Sequence, residues 1–159
     1  MRIYLFLIAL LVISIWGCAD KYLNVVKKSD FISEWQFTEK NKNLWNKATV
    51  PGVVQSDLFH AGIIQDPLFE SNEVQLQWIG LTDWNYKAVF QVDDSLLKFK
   101  SIDFVFEGLD TYAKVFVNDS LLLTADNMFR EWRANAKRFL RKGRILYVSI
   151  SFLPHFEVS

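Results

Sequence analysis

The sequence sets six indoles, Trp16, Trp35, Trp45, Trp78, Trp84 and Trp132, some of them close to acids and amides. Asp83 directly precedes Trp84, and Asn72-Glu73 lies shortly before Trp78. Such a set can recognise a polyhydroxylated ring. An indole packs against the C–H face of the ring, and carboxylates or amides take up its hydroxyls. Asp83, Trp84, Asn72 and Glu73 are therefore the candidate binding residues. Each has a plainer reading beside this one. Aromatic side chains dominate core burial, so any one Trp is expected in the core before it is expected at a ligand. Glu73 reads equally as a solvated surface acid. Asp110-Thr111, Pro51-Gly52 and Asp66-Pro67 read as turn makers whose side chains and ring geometry shape the backbone.

Other chemistries find no support in the residues. No glycine-rich phosphate cradle occurs, and no Cys/His cluster has zinc spacing. The histidines are His60 and His155, and Ser56 has no visible nucleophile–base arrangement. No cofactor and no metal are expected. Eighteen basic residues balance eighteen acidic ones, so no global field draws the chain to nucleic acid or anionic lipid. The stretch 130–144 carries seven basic residues and one acid, Glu131, with Trp132 and Phe139 interleaved. It is short, and the rest of the chain adds nothing to it. It reads as a solvated connector, and no nucleic-acid partner is expected.

Cys18 is the only cysteine, so no internal disulfide can form. It follows Arg2, an apolar run over 3–15 and Gly17. A basic start, a short apolar stretch and a small residue before the cut describe a secretory signal. The run is below the ~20 residues needed to span a bilayer. Its end resembles a bacterial lipobox, in which the cysteine thiol carries diacylglycerol, although Trp16 is bulky for that motif. Residues 1–18 are thus expected to be a signal, Cys18 the lipid attachment point, and 19–30 a tether. The protein is expected to be exported and held at a bacterial membrane through that lipid.

Elements that would position the candidate residues follow from periodicity. Residues 102–106, 112–117, 86–92 and 145–152 read as strands; 35–37 and 45–50 are weaker strands. Ala113, Val115 and Val117 share one face, and so do Leu146, Val148, Ile150 and Phe152. Asn118-Asp119 can reverse the chain, which makes 112–123 a hairpin. Helix is scarce: 54–61 can make two turns with Val54, Leu58 and Ala61 on one side, ended by Gly62, and 135–141 one turn ended by Gly143. Many short strands with Gly and Pro turns indicate a mainly all-β, antiparallel jelly-roll sandwich over 31–159, with one or two short helices. At 159 residues, one domain with a real core is the expectation.

A series of short words carries a closer likeness. They are Thr49-Val50-Pro51-Gly52, Gly62-Ile63-Ile64-Gln65-Asp66-Pro67, Trp78-Ile79 and Asp83-Trp84-Asn85-Tyr86-Lys87-Ala88-Val89-Phe90. Two more follow, Phe106-Glu107-Gly108-Leu109-Asp110-Thr111-Tyr112-Ala113 and Asn127-Met128-Phe129-Arg130-Glu131-Trp132. Their order and spacing resemble the N-terminal domain of the β-mannosidases in glycoside hydrolase family 2. Local departures are Asn118-Asp119 in place of an Asn-Gly turn, Gln55 where His is common, and Arg144 after Gly143. The resemblance implies a galactose-binding-like jelly roll and a mannoside or β-mannan-type partner. In related hydrolases the loop ahead of the Trp84 strand lies near the active-site mouth.

The parent activity implied is retaining hydrolysis of terminal, non-reducing β-mannosyl residues. Retention needs two carboxylates ~5–5.5 Å apart. The family carries both glutamates on a later (β/α)₈ barrel of roughly 250 residues, for which this chain has no room. No catalytic residue is therefore assigned here; the chain is expected to be truncated, inactive alone, and completed by a catalytic domain encoded downstream. Its alternatives are a stand-alone surface carbohydrate-binding lipoprotein or a non-functional gene fragment. Loss of the last strands would leave an open edge and part of the inner face bare.

Overall fold

The computed structural model of the chain describes residues 26–28, 30, 33–69, 71–142 and 145–153. The expected signal, Cys18 and nearly all of the expected tether lie outside the described residues. Every element below belongs to one unit, Ile32–Ser159.

Among the described residues, eight strands form two antiparallel sheets. They are β1 (Trp35–Glu39), β2 (Asn46–Ala48), β3 (Trp84–Gln91), β4 (Asp103–Phe106), β5 (Tyr112–Val117), β6 (Ser120–Ala125), β7 (Trp132–Asn135) and β8 (Ile145–Leu153). One sheet has six strands in the order β2-β1-β3-β8-β5-β6; the other pairs β4 with β7. Among the described residues, three short helices, α1 (Val54–His60), α2 (Asn72–Gln75) and α3 (Asp94–Leu97), and 3-10 turns at Gln77–Leu81 and Lys137–Phe139, fill the connections.

The alternation read from the sequence is the alternation of the sheet. Ala113, Val115 and Val117 of β5 and Val148 and Ile150 of β8 are buried on one face, in register with one another and with β3. On β3 the inward residues are Trp84, Tyr86, Ala88 and Phe90. Phe37 stacks on Tyr86 at 5.8 Å, Phe152 meets the Tyr86 ring edge-on at 5.6 Å, and Phe90 reaches Phe104 of the small sheet at 6.1 Å. Aromatic contact thus joins the two sheets across the core.

The expected hairpin is present. Asn118 and Asp119 both take positive φ, 48° and 63°, which is the backbone of a type I′ turn. Asp119 therefore holds the left-handed position where the family's usual glycine would be free of strain. A bulge between Val115 and Phe116 admits one extra residue on β6.

Two readings are corrected. The stretch 130–144 is not a water-facing connector throughout. Its start is β7, paired with β4 from Phe106↔Trp132 to Asp103↔Asn135, and Trp132 packs against the core. Charged residues on the outer face, such as Arg133, hid the alternation. The turn expected over 135–141 is a 3-10 turn, Lys137–Phe139, and Lys137 points its ammonium at the carbonyls of Leu97 and Phe99. The inner-facing Ala113, Val115, Val117, Val148 and Ile150 of β5 and β8 are buried, while β2 and β6 stand at the edges of the six-stranded sheet.

Candidate functional site

All four candidate residues fall on or beside one excursion, 49–83, which leaves the six-stranded sheet after β2 and returns in β3. It begins with a close backbone approach. A Cβ on Gly52 would stand 2.3 Å from the Thr49 carbonyl oxygen, so only glycine fits there. Helix α1 follows and presents Leu58 and Asp57 inward. Asp57 is only 1 % exposed. One of its oxygens, Oδ1, accepts the Thr49 N–H at 2.8 Å, and Oδ2 accepts the Tyr86 hydroxyl at 2.9 Å. This carboxylate ties the start of the excursion, its first helix and β3 to one point. Burial, then the Asp57 charge and hydrogen bond, push the Tyr86 phenol far above its ordinary range. The phenol therefore stays a donor.

Helix α1 ends in a Schellman closure. The Ile63 N–H reaches the Leu58 carbonyl and the Gly62 N–H the Phe59 carbonyl, each at 2.9 Å, with Gly62 at φ 69°. Ala61, expected on the helix's inner side, is exposed because the closure starts there.

Tight turns then carry the chain to β3. Asp66 accepts the Leu68 N–H through Oδ1, and its carbonyl accepts both the Phe69 N–H and the Asn72 side-chain amide. Asn72 is thereby used to shape the loop. Glu73 stands exposed in the first turn of α2. Leu76 bonds back to Asn72 and Glu73 and leads into the 3-10 turn that holds Trp78 and Ile79. Ile79 is buried, and its carbonyl accepts the Trp84 indole N–H at 2.9 Å. The Thr82 hydroxyl closes the turn on the Trp78 carbonyl. Asp83 forms an ion pair with Lys40, and its carbonyl accepts the Lys40 N–H at 2.9 Å.

The structure gives the two neighbouring indoles different tasks. Trp84 is 5 % exposed, lies 6.0 Å from Phe37, and has its N–H engaged. Trp78 is 39 % exposed and rests on Trp84 at 6.0 Å with its ring tilted 46°. An open indole backed by a buried one is a rigid apolar platform with amide and carboxylate groups on the turns before and after it. That combination can hold a sugar ring by stacking and by hydroxyl contacts. Asp57, Lys40 and the division of labour between Trp78 and Trp84 were not foreseen. Asp57 had left a signal: it shares the inner helical face with Val54 and Leu58 at i, i+3 and i+4 spacing. Lys40 had left none, because its partner is 43 residues away.

The family profile described as glycosyl hydrolase 2 galactose-binding domain-like matches residues 35–158. The chain belongs to this family. Among curated proteins it is similar to the β-mannosidase of Bos taurus, 31 % identical over 131 residues, which are 82 % of this chain and 15 % of the relative. It is also similar to a probable β-mannosidase of Caenorhabditis elegans, 37 % identical over 112 residues, 69 % of this chain and 12 % of that protein. Among solved structures, the β-D-mannosidase of Dictyoglomus thermophilum superposes with a TM-score of 0.74 at 37 % identity, covering 77 % of this chain and 15 % of that one. A β-D-glucuronidase of the same organism shares the fold, with a TM-score of 0.59 at 18 % identity. The chain thus spans about a seventh of the relatives it matches. It is a galactose-binding-like domain of the kind β-mannosidases carry.

Proposed function

We propose that this domain is the sugar-facing and scaffolding part of a β-mannosidase whose catalytic carboxylates lie in another domain, and that the whole enzyme removes terminal, non-reducing β-mannosyl residues with retention. The observation that carries this reading is the contrast between two enzymes of one organism: 37 % identity and a TM-score of 0.74 to the mannosidase, against 18 % and 0.59 to the glucuronidase. The excursion 49–83 forms one wall of the substrate entrance. Trp78 supplies the open indole, Trp84 backs it, and Glu73, exposed on the turn before it, is the acid that meets hydroxyls, while Asn72 and Asp83, held by the Asp66 carbonyl and Lys40, set the shape of the turns. The domain itself breaks no glycosidic bond.

Calorimetric titration of the full chain with β-1,4-mannobiose tests the wall. Heat at millimolar sugar that is lost in Trp78→Ala supports it; equal heat from both proteins removes Trp78 from the role. Turnover of 4-nitrophenyl β-mannoside by the chain alone contradicts the division between scaffold and catalyst.

The anchoring reading belongs to the same proposal. Diacylglycerol on the Cys18 sulfur holds the domain at a membrane by apolar transfer, worth ~0.8 kcal/mol per buried CH₂. Intact-mass measurement of the membrane fraction checks it: the lipid mass is present in the parent chain and absent in Cys18→Ser.

A further inference from the structure

Away from the excursion, the outer face of the six-stranded sheet carries an open cavity of about 660 Å³, lined by Ser33, Glu34, Gln36, Val89, Phe90 and Gln91. Its volume lies within the roughly 300–1,000 Å³ of small-ligand sites. Strand period explains the lining. Gln36 on β1 and Val89 and Gln91 on β3 are the exposed members of an alternation whose other members, Trp35 and Ala88, are buried. Glu34 extends the same side of β1 by two residues. The Ser33 hydroxyl donates to the Val89 carbonyl at 2.7 Å, which pins the run before β1 against β3 and fixes where Glu34 stands. The Phe90 ring is turned to Phe104 in the core, so Val89 is the apolar side chain on this face.

The polar groups narrow the ligand. Among the described residues, the side chains of Glu34, Gln36 and Gln91 have no hydrogen-bond or ion-pair partner. Two amides that both donate and accept, beside a carboxylate that accepts, match hydroxyl groups, which do both. No cation lines the cavity. Lys87, the next outward residue on β3, sets its ammonium over the Trp45 ring at 3.7 Å, beside β2. A phosphate or a uronate would therefore meet the Glu34 charge with nothing to offset it. A single carboxylate is also too few for a divalent cation, and no metal-holding group of acids, His or Cys occurs among the described residues. A neutral polyol remains.

We propose that this cavity is a second carbohydrate site, in which Gln36, Gln91 and Glu34 hold the hydroxyls of a neutral oligosaccharide against Val89. It is separate from the wall built on Trp78. Val89 and Gln91 stand five and seven residues beyond Trp84 on β3, roughly 17–23 Å along the strand, and on the opposite face. The site is open and has no ring for a sugar to stack on. It grips through several hydroxyls at once, so it takes a chain of several sugars and not a disaccharide. That the sugar is mannose rests on the functional reading above.

Calorimetric titration of the full chain carrying Trp78→Ala with β-1,4-mannohexaose isolates the site. Saturable binding is expected, little changed by salt because the ligand is neutral. Adding Gln36→Ala/Gln91→Ala is expected to weaken it tenfold or more, and Glu34→Ala gives a second, independent loss. All three positions are exposed, so circular dichroism of the variants is expected to match the parent. Absence of binding to the Trp78→Ala chain overturns the proposal, as does binding that ignores both the glutamine and the glutamate substitutions. Equal or tighter binding of β-1,4-hexamannuronate, the same chain with carboxylates, overturns the neutral class. Mannobiose and the parent chain separate the two readings. Hexaose binding that depends on Gln36 and Gln91, with mannobiose heat indifferent to Trp78→Ala, sinks the wall alone; mannobiose heat lost in Trp78→Ala, with no hexaose binding left, sinks the second site alone.

Discussion

In β5, Ala113, Val115 and Val117 turn inward and are sealed, while Tyr112, Lys114 and Phe116 face outward. In the excursion between β2 and β3, Ile79 turns inward but Leu68, Phe69 and Val74 turn to solvent. The two regions share one chain and one core, yet only the first completes its own burial. A sheet has two faces and a fixed period, so its sequence can assign each residue to core or water. The excursion has no such period. A few tethers hold it: the Asp57 carboxylate, the Trp84 indole N–H and the Lys40–Asp83 pair. Its apolar side chains at Leu68, Phe69 and Val74 are left at the surface.

The contrast can be broken most directly at Trp84, where the two regions join. Trp84→Ala is expected to cost about 3–5 kcal/mol in urea unfolding, because it empties core volume and also frees the Ile79 carbonyl. A loss under about 1 kcal/mol would mean that the excursion does not depend on the sheet. Asp57→Ala is next, at about 2–4 kcal/mol, since the Thr49 N–H and the Tyr86 hydroxyl both lose their acceptor.

Tyr86→Phe is expected to cost about 1–2 kcal/mol near neutral pH by leaving Asp57 Oδ2 without its donor. This variant also sharpens the comparison through pH. The Tyr86 phenol is raised in the folded chain, so its contribution is complete below the ordinary phenol value, about 10, where both states hold the proton. Above that value the unfolded chain ionises first, and the contribution declines with rising pH. Urea midpoints measured between pH 8 and pH 11 (about one phenol titration) are expected to converge for parent and variant at the alkaline end. A constant gap would place the phenol in an ordinary environment.

The smallest effect is expected where the apolar side chain is largest in exposure. Leu68→Asp is predicted to change stability by less than about 0.5 kcal/mol, although a Leu-to-Asp change in the sheet would unfold the domain. A large loss at Leu68 would show that the excursion buries its apolar residues after all, and would erase the distinction between the regions.

Legibility followed the same division. The strands β3, β5 and β8, the Asn118-Asp119 reversal and the Gly62 closure of α1 were readable because each rests on a local rule: alternation, positive φ at a turn, or a helix stop. Strand β7 escaped because four residues with charged neighbours carry too little alternation to stand out from 130–144. At the candidate site, Asp83-Trp84 was readable as a word, but which indole is open was not. Burial of Trp84 and exposure of Trp78 depend on Phe37 arriving from another strand.

The sequence by itself determined the family, the jelly-roll class, the faces of the long strands and the aromatic segments that matter, because these depend on residue type and short-range spacing. Only the tertiary structure decided that Asp57 is a buried tie point, that Trp78 and not Trp84 presents its ring, and that apolar surface is left over on the excursion. Each of these turns on which distant side chain occupies the neighbouring space, and close packing assigns that space only once the chain has folded.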